Sequence, residues 1–208
     1  VPKDWRKQQT QDKYFRQAKA DGYRARSAYK LIELNEKYRL IRAGMIILDL
    51  GAAPGSWSQV AAKLGAQIVA VDLSPILPLA GVTTIRGDIT KPETVAQIES
   101  ALGGNADLVM SDVAPSTSGV HFVDHARSIE LARASLQLAI KFLKPDRKFV
   151  VKVFQGEDFD AFVKEVKAHF RQVNVHRPPA TRGESSEHFV IGVGFCKKEN
   201  HKTLGSAE

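Results

Sequence analysis

Residues Ile46 to Trp57, read Ile-Ile-Leu-Asp-Leu-Gly-Ala-Ala-Pro-Gly-Ser-Trp, leave this chain few ways to fold. Ile46 to Leu50 is an apolar run broken only by Asp49, the pattern of a short strand covered on both faces. Gly51 and Gly55 allow a sharp turn and a close approach of backbone to a ligand. Pro54 fixes one φ angle and removes one N–H. Ser56 is placed to cap a helix through Gln59, Val60, Ala61 and Lys63. Strand, glycine turn and helix open an α/β sheet, and such sheets bind ligands at the carboxyl ends of their strands.

The turn departs from the dinucleotide fingerprint, in which closely spaced glycines hold a pyrophosphate on backbone N–H groups. Pro54 deletes one of those groups, which disfavours a nicotinamide dehydrogenase. Asp49, just ahead of the turn, suits a ligand with a cationic or hydrogen-bond-donating group. Taken alone, the turn is read either as a nucleoside-type site or as an ordinary βα turn.

Three further apolar runs lead into an aspartate. Gln67 to Val71 reaches Asp72, about 20 residues past the turn, where such folds place a carboxylate on ribose hydroxyls. Val82 to Arg86 is followed by Asp88 and Ile89. Asp88 is read either as an acceptor for a base amine or as a cap for a helix from Lys91 to Leu102. Ala106 to Met110 runs into Ser111 and Asp112. Core packing does not explain acids gathered at one sheet edge. Farther on, Ser116 to Val123 reads as a lid or substrate wall. Asp124 is expected to cap a helix from His125 to Leu143, ended by Pro145. Lys152 interrupts the strand Lys148 to Phe154. The next elements are a helix over Glu157 to Phe170 and strands at Val173 to His176 and Phe189 to Phe195, with Glu187 just before the last. Ahead of the glycine turn, Asp12 to Asp21 reads as a helix ended by Gly22, and Ser27 as the cap of a second helix carrying Lys30.

Of the net charge of +7, residues 1–30 carry +6, interleaved with Trp5, Tyr14, Phe15, Tyr23 and Tyr29. Clustered cations attract phosphates and aromatic faces stack on bases, so this segment is read as a polyanion site. The expected organisation is residues 1–36 as a basic helical RNA-contacting segment of the same domain, 37–196 as the core, and 197–208 as a polar tail. A single cysteine, Cys196, excludes an internal disulfide and a cysteine metal cluster, and no metal is expected. No apolar run approaches the ~20 residues of a membrane span. A cytoplasmic monomer is expected.

Five motifs stand in order: Ser27-Ala28-Tyr29-Lys30-Leu31, Asp49 to Trp57, Ser111-Asp112-Val113-Ala114-Pro115, Val150-Val151-Lys152-Val153-Phe154-Gln155-Gly156 and Ser186-Glu187. Together they resemble the FtsJ/RrmJ family of S-adenosylmethionine-dependent RNA ribose 2′-O-methyltransferases, over about Asp12 to Val193. The resemblance implies a single Rossmann-like methyltransferase domain with a seven-stranded, mostly parallel sheet of order 3-2-1-4-5-7-6, last strand antiparallel, flanked by helices. It implies a catalytic tetrad of Lys30, Asp112, Lys152 and Glu187, and a cofactor lying against Gly55, Trp57, Asp72, Asp88 and Asp112. The turn and the strand ends add Asp49, Gly51, Pro54, Ser56, Leu73 and Ile89 to the candidate cofactor residues. Ser56 stands where close family members carry a second glycine. The implied partner is RNA, ribosomal RNA or a large-subunit particle, with transfer RNA, a messenger cap and a non-catalytic RNA-binding role as alternatives.

The implied chemistry asks for a base, since a ribose hydroxyl ionises far above neutral pH. An ordinary lysine, with a pKa of about 10.4, is almost wholly charged at pH 7. Burial and a second cation both favour the neutral amine. Lys152 is therefore expected to be the base, Lys30 the neighbouring cation, and Asp112 and Glu187 the orienting acids.

Overall fold

The structure is a computed structural model and describes residues 14–115, 118–177 and 187–197. Along the chain run α1 (Ala28–Tyr38), β1 (Ile46–Leu50), α2 (Ser56–Lys63), β2 (Gln67–Asp72), β3 (Val82–Arg86), α3 (Pro92–Leu102), β4 (Ala106–Ser111), α4 (His121–Phe142), β5 (Leu143–Phe154), α5 (Phe159–Lys167), β6 (Phe170–His176) and β7 (Glu187–Phe195). Residues 14–20 form a helical stretch ahead of α1. Gly22 ends it at φ 72°, with Tyr23 N–H reaching Ala18 O and Gly22 N–H reaching Lys19 O, so two otherwise unpaired carbonyls are satisfied.

The seven strands lie in the order β3-β2-β1-β4-β5-β7-β6, as the resemblance implied. β7 runs antiparallel to β5 and β6, and the remaining pairs are parallel. Both faces are covered, which explains why β1, β2 and β4 read as near-continuous apolar runs. Leu48, Leu50 and Val109 pack toward Ile98 of α3, Leu136 of α4 and Phe162 of α5. Ile47, Leu108 and Met110 pack toward Leu31 and Leu34 of α1 and Val60 of α2. Alternate residues of a strand point to opposite faces, so each strand supplies both cores.

The order reverses between β1 and β4, which leaves a crevice at their carboxyl ends. Leu50 pairs with Ser111 there, so Gly51 and Asp112 leave the sheet side by side. A Cβ on Gly51 would lie 2.5 Å from the Val113 side chain, and its φ is 70°, so glycine is required on two counts.

Several expected boundaries move. Ser56 is the first residue of α2; Gly55, at φ 105°, holds the cap position, and the Ser56 and Ser27 hydroxyls bond each other at 2.7 Å. Ser27 holds the cap position of α1 as expected, but its hydroxyl is committed to Ser56 and bonds no helix N–H. α4 starts at His121 instead of His125. Asp124 therefore sits inside its first turn, reaching back to Ser118 N–H at 2.7 Å, Ser118 hydroxyl at 2.8 Å and Gly119 N–H at 3.2 Å. α5 is shorter than expected, and Phe170 opens β6. Glu187 is the first residue of β7 and not its predecessor.

Pro145 does not end α4, which stops at Phe142; it lies within β5. Ala106 pairs with Leu143 and Leu108 with Lys148, so residues 144–147 bulge outward opposite Asp107. Asp107 pins the bulge by accepting from Lys144 Nζ at 3.0 Å and Arg147 Nη2 at 3.1 Å. Proline is tolerated because the bulge needs no ladder N–H there.

Candidate active site

At the crevice lies a cavity of about 260 Å³. Its walls are Gly51 and Ala53 after β1, Val71, Asp72 and Leu73 at the end of β2, Gly87, Asp88 and Ile89 after β3, and Asp112 to Ala114 after β4, with Leu131 from α4. Asp72 accepts Ala53 N–H at 3.0 Å on one oxygen and Ser74 N–H at 2.7 Å on the other, which leaves a lone pair on each for a vicinal diol. Asp88 accepts Thr90 N–H and hydroxyl on Oδ1, and these hold its carboxyl below the usual range. Asp88 makes this local Asx-type turn instead of capping α3, whose cap position is Lys91. Ile89 and Val113 give the pocket apolar surface beside these acids. Two carboxylates with free acceptor capacity and an apolar wall fit an adenosine.

The remaining candidate cofactor residues stand outside this wall. Trp57 is 2% exposed, donates its indole N–H to Ser27 O at 2.9 Å and packs on Phe189 at 5.7 Å between ring centroids. It braces α2 against α1 and β7 and does not line the cavity, because the helix turns its ring to the core. Asp49 is buried under α2, where Oδ2 accepts the Ser58 hydroxyl at 2.6 Å and Oδ1 has no partner among the described residues. Burial, with the Asp112 and Asp72 charges adding, outweighs the Ser58 hydrogen bonds and pushes its carboxyl up to about 7. Pro54, Gly55 and Ser56 form the outer side of the turn and do not line the cavity.

Beside the cavity the four expected catalytic side chains meet. Lys152 Nζ donates to Asp112 O at 2.6 Å and Asp112 Oδ1 at 2.7 Å. Lys30 of α1 forms an ion pair with Glu187 of β7. Lys152 pairs in register with Phe189, and Glu187 lies two residues before Phe189 on the same face. Lys30 Nζ stands 6.0 Å from the centre of the Phe189 ring. Lys30, Lys152 and Glu187 are all less than 10% exposed. Lys30, expected as the cation beside Lys152, has Glu187 as its own partner, so the four side chains form two ion pairs.

Sequence reading missed part of the site. Ala53, Val71, Gly87, Val113, Ala114 and Leu131 line the cavity. The first five adjoin candidates and were within reach, whereas Leu131 arrives from α4 with no local signal. His125 was also missed as a support. It accepts Asp158 N–H on Nε2 at 3.1 Å and donates Nδ1–H to Phe154 O at 3.0 Å, holding the turn that follows Lys152's strand. A Cβ on Gly156 would lie 2.5 Å from that imidazole. Of the basic segment, residues 1–13 lie outside the described residues, as do Arg182, Glu184 and Ser186 and the tail beyond 197.

An open sheet of this order, with an acid-lined cavity at its switch point and paired acids and amines beside it, defines an S-adenosylmethionine-dependent methyltransferase. The FtsJ-like methyltransferase family matches residues 23–195. The chain belongs to that family. It is 56% identical over 182 residues to ribosomal RNA large subunit methyltransferase E of Methanothrix thermoacetophila, covering 87% of this chain and 71% of that one. It is 54% identical over 187 residues to the protein of that name from Archaeoglobus fulgidus, covering 90% and 97%. A solved ribosomal RNA methyltransferase from Plasmodium falciparum superposes with a TM-score of 0.76 at 27% identity, over 85% of this chain and all of that one. Among the described residues no helix is long and apolar enough to cross a membrane.

Proposed function

We propose that this chain methylates the ribose 2′-hydroxyl of a uridine in large-subunit ribosomal RNA. The names of its relatives support the RNA class, and the gathering of Lys152–Asp112 and Lys30–Glu187 beside the cavity carries the 2′-hydroxyl chemistry. S-adenosylmethionine supplies a methyl group already activated by its sulfonium charge. Asp72 holds the ribose of that donor, Asp88 the amine of its base, and Asp112 the methionine end. Asp112 also fixes Lys152, whose Nζ donates to Asp112 O and Oδ1, which leaves its third tetrahedral position for the incoming hydroxyl.

Lys152, as the neutral amine, would take the 2′-hydroxyl proton as that oxygen bonds the methyl carbon and the methyl–sulfur bond breaks, leaving S-adenosylhomocysteine as the neutral thioether. Lys30 and Glu187 position the nucleotide. The basic segment ahead of α1 holds RNA phosphates. Asp72→Ala is expected to weaken S-adenosylmethionine binding about tenfold, read by calorimetry; unchanged affinity rejects the ribose assignment. Mapping 2′-O-methyl groups on RNA from cells with and without the gene tests the substrate. A site lost from transfer RNA, with ribosomal RNA unchanged, would falsify the ribosomal assignment.

A further inference from the structure

Arg24 lies in the basic segment that its charge marks as a polyanion site. Its guanidinium points elsewhere. Nη1 donates to Pro54 O at 3.0 Å and to Leu77 O at 2.8 Å, and Nη2 donates to Pro78 O at 2.9 Å. Pro54 belongs to the turn after β1, and Leu77 and Pro78 to the loop after β2. Those two loops carry Ala53, Asp72 and Leu73, which are walls of the cavity. One side chain thus joins both sides of the pocket from its outer surface.

The surroundings are built for that contact. Gln59 of α2 accepts Arg24 N–H on Oε1 at 2.8 Å and donates from Nε2 to Gly22 O at 3.1 Å, fixing the backbone on both sides of Tyr23. A Cβ on Gly55 would lie 2.6 Å from Arg24 Nη1, and Gly55 has φ 105°. Gly55 is therefore needed for its backbone conformation and for the room it leaves the guanidinium. A planar fork with five donors can bridge three carbonyls on two loops; a lysine ammonium, a single point with three donors, cannot span them in the same way.

We infer that Arg24 is a positioning residue for the methyl donor: it holds the loops after β1 and β2 at the separation the donor needs. It also ties the stretch that leads into Lys30's helix to the donor pocket. The inference rests on the cofactor reading of that pocket.

The test uses Arg24→Met, Arg24→Lys and wild type, with S-adenosylmethionine and S-adenosylhomocysteine titrated by calorimetry and ribosomal RNA binding measured across a salt series. Arg24→Met is expected to weaken both small ligands about tenfold, with Arg24→Lys recovering only part of the loss. KM for the donor rises while kcat at saturating donor stays within about twofold, because the reacting groups are untouched. RNA affinity and its salt slope stay as in wild type. Donor affinity that is unchanged in both variants overturns the inference. So does an RNA salt slope reduced by about 0.7–0.9, the signature of a lost phosphate contact. Should Arg24→Met fail to fold, Arg24→Lys carries the same readings. Failure of the cofactor reading is distinguishable, since wild type itself would then bind neither small ligand.

Discussion

Asp49 and Asp107 stand near opposite ends of the sheet, both with little or no exposure, and their surroundings drive them in opposite directions. Burial raises the Asp107 carboxyl, but Ile46 N–H, Lys144 and Arg147 together outweigh it and hold the group below its ordinary range. At Asp49 burial, with two neighbouring carboxylates adding, outweighs the Ser58 hydrogen bonds and pushes the carboxyl up to about 7. At the amino end of the sheet Asp107 accepts from the Ile46 N–H and from two cations, Lys144 and Arg147. At the carboxyl end Asp49 keeps one oxygen with no partner among the described residues, near the Asp112 and Asp72 charges. Such an arrangement reduces stability and is retained where ligands bind.

The comparison predicts that activity and stability separate between the two ends. Lys152→Ala is expected to lower single-turnover methyl transfer by about 10²–10⁴-fold, the scale of a lost general base, with donor affinity nearly unchanged. Near-normal turnover would reject the base assignment. Asp107→Ala should leave kcat unchanged at a temperature well below its Tm, and a large loss there would break the distinction between the ends.

Glu187→Ala leaves Lys30 buried without its partner and is expected to reduce stability by about 3–5 kcal/mol in urea titrations. Adding Lys30→Met should recover most of that stability but not activity. If the double variant is as unstable as the single one, the pair is not what holds β7 to α1.

Asp107→Ala should reduce stability by about 1–3 kcal/mol through the freed Ile46 N–H and the loosened bulge. Because the folded carboxyl lies below its ordinary value, this contribution is present above about pH 4 and fades as pH falls through the folded value. A difference between wild type and variant that persists unchanged to pH 2 would contradict the ion-pair origin.

Asp49→Asn gives the smallest effect, and its sign changes with pH. With the folded carboxyl raised, wild type has this group's full contribution below about pH 4 and loses it as pH rises toward 7. The variant does not titrate, but its amide N–H groups lack a partner. Thermal unfolding should show the variant less stable at pH 5 and more stable by about 1–2 kcal/mol at pH 8, after that penalty. A difference independent of pH would mean that Asp49 is not raised.

The legible parts of the molecule were those with local causes. Strands buried on both faces must be apolar over several residues, so β1, β2 and β4 were readable, and the acids ending them marked the ligand edge. Pro145 misled because proline suits a bulge as well as a helix end, and only the pairing of Ala106 with Leu143 distinguishes the two. Trp57 misled because a motif position does not say which way a helix turns its ring.

From the order of residues alone followed the strands, the glycine turn and, through resemblance, the candidates for four catalytic side chains. The tertiary structure decided which amine meets which acid. Lys30 and Glu187 are 157 residues apart, and their meeting depends on β7 inserting between β5 and β6. Hydrogen-bonding groups find partners by position in space, so the same stretch of chain supplied Lys30 to an ion pair and Arg24 to the carbonyls of two loops outside the pocket, a division that charge counting does not contain.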